Sequence, residues 1–167
     1  MRIDWALAGD DDLEAIAALR NATADALTAA HGHGPWSGHC TGRGVRAGLR
    51  DGRVLTGRES GRFVATLRLG TRKPWAIDRA YFTPVARPLY LTNMAVAPDA
   101  QRRGIGRQAL EEARRLAVAW PADAILLDAF DHVAAGAGGF YTRCGYRETG
   151  RVTYRRTPLV YHELLLT

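Results

Sequence analysis

The sequence predicts a mixed α/β fold, a sheet with helices packed on both faces, on three observations. Apolar or alternating runs at 2–8, 53–71, 89–98 and 124–130, with the C-terminal stretch, read as strands. Apolar residues recur at helical spacing across 9–30 and 104–120, between those runs. The resulting order, β-α-(α)-β-β-β-α-β-α-β-β, alternates the two element types along most of the chain, the pattern of a layered α/β domain.

Each element has its own signal. "RIDWALA" (2–8) alternates as a first strand. The helix at 9–30 opens on acidic residues, with Asp10 or Asp11 as N-cap, and places Leu13, Ile16, Ala17, Leu19 or Arg20, Ala24 and Leu27 near one face. "HGHGPWSGHCTGRG" (31–44) is a glycine-rich loop, and 44–52 a short helix ending at Gly52. Residues 53–71 form two strands about a turn at Glu59–Gly61. Prolines and aromatics make 72–88 a long ordered loop, followed by a buried strand at 89–98. The helix at 104–120 stops at Pro121, "AILLDAF" (124–130) is a further apolar strand, and 134–145 is a short helix ending at Gly145. "YRETGRVTYRR" and "TPLVYHELLL" close the chain as two strands.

Length and composition limit the function classes. A chain of 167 residues with 47% hydrophobic and 24% charged residues fits one domain, 1–167, with a core of its own. The N-terminus lacks the pattern of a signal peptide and no apolar run would span a bilayer, so a soluble, cytoplasmic protein without membrane partners is expected. Cys40 and Cys144 match no metal or redox spacing. His31, His33, His39 and Cys40 fit no standard zinc pattern, so no metal is expected. The net charge of +6 points to a polyanion, either nucleic acid or a phosphate-rich cofactor, although arginine-rich composition accounts for it equally well. The arginines are scattered and the aromatics sit in apolar contexts, which argues against a nucleic-acid partner.

The chemistry concentrates in "TNMAVAPDAQRRGIGRQALEEARRLAVAW" (92–120). A helix N-terminus carries unpaired N–H groups and partial positive charge. Glycines let the backbone close on an anion there, and arginines beside it add charge. Gln101-Arg102-Arg103-Gly104-Ile105-Gly106 is such a mouth, and it invites an anion.

Gln101-x-x-Gly104-x-Gly106 after "YLTNMAV" resembles the acetyl-coenzyme A motif of the GNAT family of N-acetyltransferases. "GGFYTRCGY" resembles that family's second signature, here Phe140-Tyr141 with Gly145-Tyr146, and "AILLDAF" lies between them as the family order requires. The specific motifs cover 89–146, and the element order fits from 2 to 167.

The resemblance implies a mostly antiparallel sheet whose central parallel strands, 89–97 and 124–130, splay apart around the pantetheine arm of acetyl-coenzyme A. It implies that Met94, Ala95 and Val96 pair with the pantetheine amides, and that an N–H near Ala95 polarises the thioester carbonyl. It places the pyrophosphate on the N–H groups from Arg102 to Arg107, so that Gln101, Arg102, Arg103, Gly104, Ile105, Gly106 and Arg107 form the cofactor loop. Tyr141 becomes the general acid for the leaving thiolate, since a phenol stays protonated at neutral pH. The acceptor is then an amine, on a small molecule or a peptide. Self-association is common for the fold, and the last apolar strand offers a route to a homodimer.

The sequence departs from the family at Ala134, where many members place an asparagine on the cofactor arm. A glutamate base is missing from the strand before the loop, which has Thr92 and Asn93 instead. Asp128, Asp131 and His132 at the end of the next strand are the better candidates, with His132 able to take a proton through water. Trp36, Trp75, Tyr81 and Phe82 would furnish an aromatic acceptor site. A non-catalytic acyl-coenzyme A binding module is the alternative. A dinucleotide site also satisfies Gly104-x-Gly106-x-x-Ala109, but Pro98 to Arg103 separate the strand from the first glycine and too little chain follows.

Overall fold

The computed structural model describes residues 1–132 and 137–166. Its strands are β1 (Asp4–Leu7), β2 (Gly52–Glu59), β3 (Arg62–Gly70), β4 (Pro88–Val96), β5 (Ala124–Phe130), β6 (Arg147–Tyr154) and β7 (Thr157–Leu165). Its helices are α1 (Leu13–His31), α2 (Gly42–Ala47), α3 (Ile105–Ala119) and α4 (Gly138–Arg143). The seven strands form one sheet in the order β1-β2-β3-β4-β5-β7-β6. Only β4 and β5 run parallel, and every other neighbouring pair is antiparallel.

Side-chain alternation along the central strands sorts the core into two layers. Leu55, Leu67, Leu69, Leu91, Ile125 and Leu127 meet α3 through Ala109, Leu110, Ala113 and Ala117. The alanines recur every fourth residue, so α3 sits close to the sheet along one narrow stripe. On the other face Val54 packs under Leu13, Ile16 and Ala17 of α1 and Val45 of α2. That layer continues over β4, β5 and β7, where Ile77 and Phe82 from the 71–87 segment, which carries the 3-10 turn Arg79–Tyr81, cover Tyr90, Leu126 and Tyr161. The expected long loop therefore acts as a structural lid over half a sheet face.

Glu163 anchors that lid. Its carboxylate, only 1% exposed, accepts hydrogen bonds from the Thr83 N–H at 2.9 Å and the Thr83 hydroxyl at 2.7 Å, and pairs with Arg147. Burial pushes the Glu163 carboxyl up, but the two Thr83 bonds and the Arg147 guanidinium outweigh it and hold the group below its usual range. A carboxyl lowered in the folded state stabilises above its unfolded pKa, and that contribution is lost as pH falls through the folded value. Glu163→Ala should cost about 1–3 kcal/mol at pH 7, since it strands the part-buried Thr83 N–H and the Arg147 guanidinium. The deficit relative to wild type should shrink in acid, which paired urea melts at pH 7 and below pH 4 would check.

The departures from expectation have local causes. The α1 N-cap is Asp12, because its carboxylate accepts the Gly9 N–H at 2.8 Å and a 3-10 turn takes up Asp10–Asp12. The second helix starts at Gly42, two residues earlier than expected, because the Thr41 hydroxyl accepts the Gly44 N–H and caps it. It ends at Ala47, and Gly52 opens β2 instead of closing the helix. Both edges of β7 are paired, with β5 and with β6, so it offers no free edge for strand addition. Among the described residues, no helix is long and apolar enough to cross a membrane.

Candidate active site

The site opens where the parallel pair comes apart. β4 and β5 are in register only at Pro88–Ala124, Leu89–Ile125 and Tyr90–Leu126, although β4 runs on to Val96 and β5 to Phe130. From Leu91 and Leu127 onward the strands diverge. A bulge sharpens the divergence: the β3–β4 register shifts between Thr66 and Arg68, and Asn93 takes left-handed backbone at φ 56°. Arg20 of α1 braces this residue, donating to Asn93 Oδ1 at 2.9 Å.

The gap belongs to a cavity of about 500 Å³. Leu91–Ala95 of β4 and Asp128–Phe130 of β5 form its floor, Tyr141 one wall, and Arg20, Thr23 and Leu27 of α1 the roof. The glycine-rich 32–41 segment closes the remaining side and is firmly tied down. Asn21 clamps Cys40 in both directions, donating to its carbonyl at 2.9 Å and accepting its N–H at 2.8 Å. The Thr28 and Ser37 hydroxyls meet at 2.7 Å, and Trp36 Nε1 donates to Gly32 O at 3.0 Å.

At one end of the gap lies the loop between β4 and α3. A 3-10 turn, Pro98–Ala100, leaves the strand, and Gln101 turns its amide back onto the Val96 carbonyl at 3.1 Å, which fastens the loop to the strand end. Backbone handedness then alternates, with Arg102 at φ 61° and Gly104 at φ 81°. Such alternation directs successive N–H groups into one concavity. Gln108 makes the first bond back to Gly104 O, so the N–H groups of Ile105, Gly106 and Arg107 precede the intrahelical ladder and remain available. The arginines are not equivalent: Arg103 is committed to Glu59 at 3.1 Å, and Arg107 to the Arg143 carbonyl at 3.0 Å. The hydrogen bond from Arg103 holds the Glu59 carboxyl below its ordinary range. Arg102 has no ion pair among the described residues and leaves its charge at the loop mouth.

The two sequence signatures touch. A side chain at Gly106 would meet Phe140 Cζ at 3.1 Å, so Phe140 rests on the bare start of α3. That contact directs the next residue, Tyr141, into the gap. Its side chain is 7% exposed, and its hydroxyl lies 3.7 Å from Met94 Sδ, a weak acceptor. Burial pushes the Tyr141 phenol above its usual pKa, and the nearby Asp128 adds to the rise. The phenol therefore keeps its proton.

Asp128 lines the same cavity. Burial pushes its carboxyl up, opposed only by its own backbone N–H. Asp131, by contrast, is tied to Arg151 at 2.9 Å. His132 is outside the cavity lining and stands at the rim, its ring 5.1 Å from Trp36 and 5.8 Å from His31. Of the four aromatics expected around an acceptor, only Trp36 lines the cavity. Trp75 is 81% exposed, and Tyr81 and Phe82 stack on Tyr161 because they belong to the lid over β7. His39 pairs with Asp25 at 2.6 Å, and among the described residues no group of three or more His, Cys, Asp or Glu could hold a metal. Ala134, the departure from the family pattern, lies outside the described residues.

Sequence reading missed Arg20, the cation in this cavity. Its signal was an arginine on the apolar stripe of α1, where helical spacing calls for a residue like Leu19 or Ala24.

The profile of the Acetyltransferase (GNAT) domain matches residues 50–148 of the chain. The protein belongs to the GNAT acetyltransferase family. A comparison with curated protein sequences finds no match. Among solved structures, an N-acetyltransferase from Staphylococcus aureus Mu50 is similar over 100% of both chains, at TM-score 0.75 and 17% identity. A ribosomal-protein-alanine N-acetyltransferase from Brucella melitensis is similar over 98% of this chain and 99% of its own, at TM-score 0.75 and 20% identity. The PaiA N-acetyltransferase from Thermoplasma acidophilum, in complex with coenzyme A, is similar over 98% of this chain and 100% of its own, at TM-score 0.73 and 13% identity. At these identities the likeness is one of fold, and it includes a fold seen holding coenzyme A.

Proposed function

We propose that this chain transfers the acetyl group of acetyl-coenzyme A directly to an amine. The observation that carries the reading is the β5-facing edge of β4 beyond Tyr90, where pairing with β5 has ended, with the Tyr141 hydroxyl set against it at Met94. Backbone groups of Met94, Ala95 and Val96 would take the pantetheine arm as an added strand. The concavity from Arg102 to Arg107 would take the pyrophosphate. Its left-handed turn at Gly104 and bare helix start at Gly106 suit a close anion.

The chain's own groups then divide the chemistry. Asp128 takes a proton from the acceptor ammonium, and its raised pKa moves it toward the range a base needs. The freed nitrogen attacks the thioester carbonyl, an N–C bond forms and the C–S bond breaks. A backbone N–H near Ala95 steadies the oxygen as charge builds on it. Tyr141 gives its proton to the departing sulfur, and the second proton, shed by the nitrogen as it becomes the amide, returns to the Tyr141 oxygen through water. His132 at the rim would pass protons between Asp128 and bulk water.

Thiol release from acetyl-coenzyme A with a panel of amines tests this, alongside calorimetric titration with acetyl-coenzyme A and with NADH. The expected result is acetyl-coenzyme A binding, amine-dependent thiol release, and a kcat/KM roughly 10²-fold lower in Asp128→Asn. Binding without release for any amine would favour the non-catalytic acyl-coenzyme A module. NADH binding in place of acetyl-coenzyme A would end the acetyltransferase reading.

A further inference from the structure

The cavity contains two opposite charges that do not neutralise each other. Arg20 enters from α1 and Asp128 from β5, and both line it. Arg20 has one hydrogen-bond acceptor, the neutral amide oxygen of Asn93 at 2.9 Å, and among the described residues neither charge is in an ion pair. Other arginines that reach carboxylates do pair: Arg46 with Asp10, Arg58 with Asp12, Arg62 with Asp99, Arg68 with Asp51. Half-buried charges are stable when something supplies the counter-charge. Here the protein does not supply it.

A simple amine or diamine satisfies only one of them. Its ammonium suits Asp128, but its positive charge shares a low-dielectric space with the Arg20 guanidinium, which remains unpaired. A peptide N-terminus has the same defect, since its nearest main-chain carbonyl is neutral. A molecule with an ammonium and a carboxylate satisfies both, with its carboxylate on the planar fork of Arg20 and its amine at Asp128. Size agrees, because the 500 Å³ cavity, which must also hold the end of the donor arm, suits a small molecule. The same cavity is also lined by the large apolar side chains of Leu27, Trp36 and Phe130.

Building on the acetyltransferase reading, we infer that the acceptor is a free amino acid with an apolar side chain, its carboxylate held by Arg20 and its amine presented at Asp128. Arg20 lies on the helix that roofs the site. It acts here as a specificity residue.

The test compares phenylalanine, leucine and methionine with their carboxamides, with putrescine and with a short uncharged peptide, in wild type, Arg20→Gln and Arg20→Lys. The free acids should exceed their amides in kcat/KM by about 10- to 100-fold, the range of one charge-assisted pair. Arg20→Gln should remove that preference by raising KM for the acids much more than for the amides, and Arg20→Lys should keep part of it. Equal use of acid and amide, a preference for the diamine or the peptide, rejection of all the free acids, or an equal loss on acids and amides in Arg20→Gln would overturn the assignment. Calorimetric titration of the same preparations with acetyl-coenzyme A separates the two levels, since loss of donor binding would overturn the underlying reading instead.

Discussion

Replacing Tyr141 with phenylalanine should lower kcat about 10²- to 10⁴-fold, the usual range for a lost general acid, and leave acetyl-coenzyme A affinity within a few-fold of wild type. The expectation rests on where the hydroxyl is. An aromatic ring at this position would pack the core with or without its oxygen, since Tyr141 meets Phe140 and Tyr146 edge-on and stacks near His162. The oxygen is the part that packing does not explain. Its acceptor is a thioether, and burial with a neighbouring carboxylate keeps it protonated. A core phenol with no task would more commonly find a carbonyl, as Tyr161 does with Ala76 O. Tyr141→Phe keeps the ring, so thermal stability should hardly change. Single-turnover kinetics would isolate the chemical step. A variant with wild-type single-turnover rate would assign Tyr141 to packing alone and leave the departing thiolate to solvent.

The sequence was informative about whatever a local pattern determines, and less so about whatever depends on distant partners. The strand at 89–97, the helix after Gly104 and the strand at 124–130 follow from short-range periodicity, and all appear in place as β4, α3 and β5. The contact of the two motifs was not read from the sequence and comes from the fold, where glycine at 106 leaves room that Phe140 fills. The first-turn boundaries missed, since Thr41 and Asp12 act through single side-chain bonds that composition does not weigh. The acceptor side was harder. Trp36 and the aromatics at 75–82 look alike in sequence, yet Trp36 hangs on a loop clamped to α1 while Tyr81 and Phe82 dock on β7, more than seventy positions away. Arg20 was visible as an exception on an apolar stripe, but only the fold brings it over Asn93 and into the space that Asp128 shares.

Gly106→Asp should weaken coenzyme A binding about 100-fold or more without unfolding the protein, and the two halves of that expectation come from the same feature. The start of α3 carries partial positive charge and unpaired N–H groups. An aspartate in the first turn satisfies them internally, worth roughly 0.3–1 kcal/mol to the helix, which offsets part of the 3.1 Å encounter between the new Cβ and Phe140. The same carboxylate occupies the concavity that would receive the pyrophosphate and repels it, removing charge-assisted bonds worth about 1.5–3 kcal/mol each. Gly106→Ala separates the causes, because it adds the Cβ without the charge and should lose affinity far less. Gly104→Ala is a different perturbation: nothing lies within 4 Å of its new Cβ, but φ at +81° strains any side chain, so stability should fall by about 1–2 kcal/mol. Titration calorimetry with coenzyme A and thermal melts on the three variants would read both axes. If Gly106→Asp binds coenzyme A within threefold of wild type, the anion does not sit on this helix start, and Arg102 with its exposed charge would have to hold it farther out along the loop.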